Sequence, residues 1–417
     1  MTDNPSTGRI GTTPVLTTTT RLTRSVPRAL RPMLALDDFE AAARRHLPRP
    51  IFGYVSGACE TCASFRDNRD AFGALNLVPR VLQNVGNRSQ SVTLFGKTLA
   101  HPFGIAPMGL SALAAHDGDV VLSQAANAAG TFAILSATSL TPLERVAQEG
   151  GSRWFQAYLP GEPERIDAMV DRVAAAGFET FVLTVDVPVA GNRENNVRNG
   201  FDAPLQPSAR LAWQGVTRPR WLLGTALRTL RHRGMPHFEN MDAFRGPPIV
   251  SRNLVRAIGK RDQLSWDHVA RIRARWKGNL VLKGILSVED AVTACDHGID
   301  GIIVSNHGGR QLDGAVAPIR VLPGIARAVD GRLAVMLDSG VRRGTDVIRA
   351  LALGAKFVFV GRPFLFAAAA FGEAGVRHAI TLLSDEVDRD LAMLGIRDIA
   401  DVSGACLHRV NWDQQPG

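Results

Sequence analysis

The stretch Gly301-Ile302-Ile303-Val304-Ser305-Asn306-His307-Gly308-Gly309-Arg310-Gln311-Leu312-Asp313 changes character part-way along. Gly301–Val304 is a short apolar run of β-branched residues bounded by glycine, which reads as a buried strand. The residues after it set a histidine, two glycines and an arginine where that strand ends. Strand ends are where α/β enzymes put their chemistry.

Working outward, strand-like runs recur at Phe103–Ala106, Phe132–Leu135, Trp154–Ala157, Thr180–Val185, Leu280–Lys283, Ala334–Leu337 and Phe357–Val360. With Gly301–Val304 there are eight. Helical segments between most of them stop at Gly130, Gly177, Gly298 and Gly354, the residue type that suits a left-handed helix end. Eight alternations of strand and helix predict an α/β fold of the (β/α)8 TIM-barrel type; a doubly wound sheet is the second choice, because it does not require eight. The runs end in polar groups: Pro107-Met108-Gly109, Ser136, Gln156 with Tyr158, Thr184 with Asp186, Lys283, Ser305 with His307, Asp338 to Arg342, and Gly361-Arg362. In a barrel these converge on one face.

Outside the repeat, residues 1–33 are rich in Thr, Arg and Pro and are expected to be a disordered extension. The barrel domain is expected over 34–405, with 406–417 as a tail. Asp37-Asp38 opens a helix on which Phe39, Ala42, Ala43 and His46 keep helical spacing, and a second helix is expected from about Pro50 towards Ala71. The fourth connection carries a long insertion, 187–264, and loops of that length usually serve as lids or binding segments. Within it Trp221, Leu223, Leu227 and Leu230 recur at helical spacing among Arg218, Arg220, Arg228, Arg231 and Arg233. Such a segment, 218–233, packs on the barrel rim or lies on an anionic bilayer.

The chain of 417 residues, 45% hydrophobic, can bury a large core. A net charge of +9 fits an anionic partner as well as a merely arginine-rich surface. Four cysteines do not make a disulfide framework and favour a reducing compartment. Cys59-Glu60-Thr61-Cys62 lacks a second pair, so two ordinary thiols are expected there and no metal. No run approaches a membrane span, and the N-terminus has no secretory h-region.

The last two strand ends suggest an anion site. Asp338-Ser339-Gly340-Val341-Arg342 leads into a helix and Gly361-Arg362-Pro363 follows the eighth run; barrels commonly hold phosphate there. Arg193 and Arg310 suit a carboxylate. His307 suits a general base near neutral pH, Asp186 can hold its imidazole, and Lys283 brings positive charge beside an electron-rich cofactor. The set fits removal of a proton and two electrons from a small hydroxy-carboxylate, although a phosphate-sugar isomerase or aldolase could use the same residue types.

The segments Ser305–Asp313, Leu337–Asp346 and Leu351–Pro363 closely resemble the FMN-dependent α-hydroxy-acid dehydrogenase/oxidase family, over about residues 37–402. The resemblance implies His307 as base, Asp186 as its orienting partner, and Arg193 and Arg310 on the substrate carboxylate. Tyr54 and Tyr158, both tyrosines of the chain, would hydrogen-bond the substrate. FMN would meet Pro107, Met108, Gly109, Ser136, Gln156, Thr184, Lys283 and Ser305, with its phosphate at Asp338, Gly340, Arg342, Gly361 and Arg362. Thr138 stands where glycolate oxidases carry tryptophan, and Gly109 matches the dehydrogenase members. The insertion is similar to that of membrane-associated lactate and mandelate dehydrogenases. These likenesses imply oxidation of an L-2-hydroxy acid, L-lactate first and mandelate as the alternative, with electrons passed to a quinone or other membrane carrier. An oxidase forming hydrogen peroxide shares the same residues. They further imply a homo-oligomer, a tetramer, in the cytoplasm and peripheral on the inner face of the membrane, with no nucleic-acid partner.

Overall fold

The computed structural model describes residues 26–201, 205–251 and 260–409. Eight parallel strands make the centre: β1 (Phe103–Ile105), β2 (Ile134–Ser136), β3 (Trp154–Ala157), β4 (Thr180–Thr184), β5 (Asn279–Ile285), β6 (Gly301–Val304), β7 (Ala334–Leu337) and β8 (Phe357–Val360). They are hydrogen-bonded in the order β1, β8, β7, β6, β5, β4, β3, β2, and a parallel bridge from Ile105 to Ala133 joins the two ends. The sheet is therefore a (β/α)8 barrel.

Side chains alternate across the sheet, so each strand feeds two layers. Phe103, Ile105, Leu135, Phe155, Phe181, Leu183, Leu280, Leu282, Ile302, Val304 and Leu337 face the surrounding helices and are buried there. Ile134, Trp154, Val182, Val281, Ile303, Met336 and Phe357 fill the interior. Two residues on from each interior position, on the same side of the sheet, come Ser136, Gln156, Thr184, Lys283, Ser305, Asp338 and Phe359. The interior thus turns from apolar to polar within one pleat repeat along six of these seven strands. A hairpin of Val92–Leu94 with Lys97–Leu99 packs beneath, its Leu94 and Phe95 against the apolar interior.

Four sequence expectations change. Residues 1–25 of the predicted extension lie outside the described residues, but Leu30 and Met33 are buried in the main core, so the extension is packed from this point. The tail begins later than 406: Leu407–Arg409 pairs antiparallel with Leu75–Leu77. Residues 410–417 lie outside the described residues. The helix expected from Pro50 to Ala71 is two helices, Arg49–Ser56 and Ala63–Gly73. Between them Cys59 N–H donates to Gly309 O (3.0 Å), and the Asp313 carboxylate accepts from Thr61 and Ser64 N–H groups (2.9 and 3.0 Å). The strand-six motif breaks the helix by capturing its backbone. Finally, Trp221 does not share the outward face of the insertion; its indole N–H donates to Leu113 O at 2.8 Å, with Thr225 and Thr229 buried on the same side.

Candidate active site

His307 follows β6 with a left-handed backbone (φ 58°) and its N–H donates to Ser305 Oγ at 3.0 Å. Those two features aim the imidazole across the barrel mouth. Its Nδ1 lies 3.0 Å from Asp186 Oδ1, and its Nε2 lies 3.2 Å from Tyr158 Oη. Burial lowers the His307 pKa below its ordinary value, and Asp186 opposes that shift. A neutral imidazole with an anionic partner is the state a base needs. Gly284 makes this pair possible: it sits at an irregularity in β5 with φ 109°, and a Cβ there would lie 2.6 Å from Asp186 Cγ. Gly284 carried no signal in the sequence, because it follows the expected run Leu280–Lys283; the structure places it inside β5, where a glycine allows close backbone approach.

Lys283, on β5, makes an ion pair with Asp338 beyond β7 (2.9 Å) and donates to Ser305 Oγ (2.7 Å). Both ends of the pair are almost fully buried. Burial of a charge in an apolar interior is costly unless it is paired, so Lys283 and Asp338 belong together as a unit.

Arginines ring the motif. Arg310 Nη1 donates to the carbonyls of Tyr54 (2.8 Å) and Gly57 (2.7 Å), and its guanidinium lies 5.0 Å over the Tyr54 ring. Its other N–H groups have no protein acceptor among the described residues, and burial pushes its pKa down to about 10. Arg193 braces the same loop through Arg310 O (3.0 Å) and Gln311 Oε1 (2.7 Å). Arg362 donates to Val55, Gly57 and Gly308 carbonyls. Arg310 and Arg362 tie the N-terminal helices to the barrel mouth, which explains the helix break above.

A cavity of about 650 Å³ opens over these groups, lined among others by Tyr54, Met108, Gly109, Thr184, Lys283 and His307. Tyr158, Arg193, Arg310, Pro107, Asp338, Gly340, Arg342, Gly361 and Arg362 line it as well. Ser136, Gln156 and Ser305 lie just behind that wall, Ser136 Oγ donating to Gln156 Oε1 at 2.9 Å. The sequence did not point to the cavity wall built by the insertion, Phe238, Met241 and Asp242, nor to Arg165 and Arg261 beside it. Irregular backbone offers no periodicity to read.

A sequence profile described as FMN-dependent dehydrogenase matches residues 43–409. The chain belongs to the FMN-dependent dehydrogenase family. It is 40% identical over 384 residues to an L-lactate dehydrogenase of Xanthomonas axonopodis pv. citri, covering 91% of this chain and 97% of that protein. An L-lactate dehydrogenase of Pseudomonas aeruginosa is 40% identical over 379 residues, 90% of this chain and 98% of that one. Among solved structures, the monotopic membrane protein (S)-mandelate dehydrogenase superposes with a TM-score of 0.80 at 34% identity, covering 91% of this chain and all (100%) of that one.

The cavity fits the family's FMN on its own chemistry. Gln156 Nε2 and Thr184 Oγ1 are buried polar atoms without a hydrogen-bond partner, and such groups cost stability unless a ligand satisfies them. Gly340 (φ 93°) lies so close to the backbone that an added Cβ would sit 1.9 Å from Asn68 O. Beside it Arg342 is buried with its pKa lowered to about 10. An anion at that loop offsets the burial of this cation, as a phosphate does.

Proposed function

We propose that this FMN-dependent enzyme oxidises a small L-2-hydroxy acid to the 2-oxo acid, L-lactate being the first to test, and that a membrane quinone takes the electrons. The observation that carries the chemistry is His307, with Nδ1 on Asp186 and Nε2 facing Tyr158 in a cavity that also receives Arg310. Bound FMN supplies the two-electron acceptor. Ser136, Gln156, Thr184, Ser305 and Lys283 suit its polar ring edge, with Pro107, Met108 and Gly109 along one side. Asp338, Gly340, Arg342, Gly361 and Arg362 suit its ribityl phosphate.

Each remaining part is done by the chain. Arg310, with free N–H groups, and Arg193 fix the substrate carboxylate bidentately. Tyr54 and Tyr158 orient the hydroxyl. His307 Nε2 takes the substrate proton, and Asp186 holds the imidazolium so formed. Fixing the acid in one orientation supplies much of the rate. Anaerobic addition of L-lactate to the purified holoenzyme should bleach the flavin, and His307→Asn should retain flavin but lose the bleaching. Ordinary reduction in that variant would sink the assignment of the base.

Membrane attachment is supported by the insertion. Trp213, Val216, Leu223, Leu227 and Leu230 are exposed apolar side chains on the helical segments Ala209–Val216 and Pro219–Arg233. Arg220, Arg228 and Arg231 accompany them without an ion pair among the described residues. An apolar patch rimmed by free cations suits an anionic bilayer surface. No helix among the described residues is long and apolar enough to cross a membrane. Fractionation that leaves the protein wholly in the supernatant at low salt would reject this attachment.

A further inference from the structure

We infer that Arg261 forms a second anion subsite in the substrate cavity, one that takes the distal carboxylate of a dicarboxylic 2-hydroxy acid. This rests on the reading above, in which His307 and Arg310 receive the 2-hydroxy-carboxylate end.

Arg261 lies on the one-turn 3-10 helix Arg261–Gln263 and lines the cavity. Its place is fixed from below: Gly161 N–H donates to Lys260 O at 2.9 Å, and Gln263 Cβ packs so near Gly161 that a Cβ there would be 2.9 Å away. The guanidinium carbon sits 4.9 Å from the centre of the Tyr158 ring. The hydroxyl of that same ring meets His307 Nε2 at 3.2 Å. Arg261 is therefore one tyrosine ring away from the base.

Among the described residues, no acid accounts for its charge and no carboxylate pairs with it. The neighbouring Arg165 has both nearby acids, Glu162 and Asp242, each at 2.6 Å. Burial and the Arg165 charge both disfavour the Arg261 cation. Arg261 is half-buried, and a cation–π contact with a neutral ring replaces only part of the hydration that such a cation gives up. An anion supplied by the ligand makes up the difference. The methyl of lactate has nothing to offer there, whereas a substrate whose chain passes the Tyr158 ring and ends in a carboxylate does.

The test compares acids of equal length, (S)-2-hydroxyglutarate and (S)-2-hydroxypentanoate, as reductants of the holoenzyme's flavin under anaerobic conditions. Wild type should show a kcat/KM at least about tenfold higher for the dicarboxylate, the worth of one charge-assisted hydrogen bond. In Arg261→Gln that ratio should collapse towards one, and calorimetric binding of 2-oxoglutarate should weaken relative to 2-oxopentanoate. Arg261→Lys should recover part of it. A wild-type ratio near one, or equal loss for both acids in Arg261→Gln, would overturn the subsite and leave Arg261 as a support for Tyr158. Flavin that stays oxidised with both acids and with L-lactate would instead overturn the proposed function itself.

Discussion

The lower and upper halves of the barrel interior are built from the same strands and have opposite character. Below, Phe132, Trp154 and Phe357 stack with ring centres 4.5 and 5.2 Å apart, with Ile134, Val182, Val281, Ile303 and Met336 around them. Two residues further along, the interior carries Ser136, Gln156, Thr184, Lys283, Ser305 and Asp338. The lower half satisfies itself: it is close-packed and apolar. The upper half holds Arg310, Arg342 and Arg362 where burial disfavours their charge, and it leaves Gln156 Nε2 and Thr184 Oγ1 without partners. One half stabilises the barrel so that the other can remain unsatisfied until ligands arrive.

If that division holds, a change in one half should leave the other's property alone. The largest effect is expected from His307→Asn, since asparagine tolerates the left-handed backbone better than most residues. It should lower kcat by about 10³–10⁴-fold with little change in melting temperature or flavin content, measured by stopped-flow flavin reduction and calorimetry. Phe357→Ala should do the reverse, costing about 3–5 kcal/mol in denaturant unfolding while kcat of the folded fraction stays near wild type. A large kcat loss in Phe357→Ala would show that the two halves are coupled.

Asp186→Asn gives a smaller effect with a sign. In wild type Asp186 raises the His307 pKa against burial, which lowers it. With His307 as the proposed base, activity should fall as pH drops through a pKa below the ordinary histidine value. Removing the carboxylate takes away the raising influence, so the acid limb of kcat/KM should move to still lower pH. The plateau should fall by about 10²-fold because the imidazolium loses its counter-charge. An acid limb that moves upward would contradict this electrostatic role.

What could be read in advance follows the same division. The strands were legible because buried parallel strands are short apolar runs, and Trp154–Ala157 and Gly301–Val304 fall within the expected bounds. Strand-end polarity marked Lys283, Ser305 and Asp338. Their union was not legible, because it depends on β5 and β7 flanking β6 and on the inward pleat. The bulge at Gly284 and the helix break at Gly57–Cys62 were missed for a related reason: each exists to let a distant residue, Asp186 or Gly309, approach closely. The insertion wall with Arg261 has no period and no motif, so only the fold locates it.

The outward and barrel-facing sides of Pro219–Arg233 repeat the contrast on the surface, with the smallest expected effect. Trp221, Thr225 and Thr229 face the barrel, and Thr229 Oγ1 lies 2.9 Å from His116 Nδ1. Leu223 is 65% exposed, so the folded protein in water gains little from it. A bilayer would bury the exposed part of that leucine, worth about 1–2 kcal/mol, beside about 1 kcal/mol from each cation near an anionic surface. Leu223→Ser should therefore weaken sedimentation with anionic vesicles by about tenfold, with unfolding midpoint and lactate-driven flavin reduction unchanged. Raising the salt should weaken binding of both proteins by a common factor, because Arg220, Arg228 and Arg231 are the same in each. Equal vesicle binding by wild type and Leu223→Ser would mean that the exposed leucines meet protein, such as another copy of the chain, and not lipid.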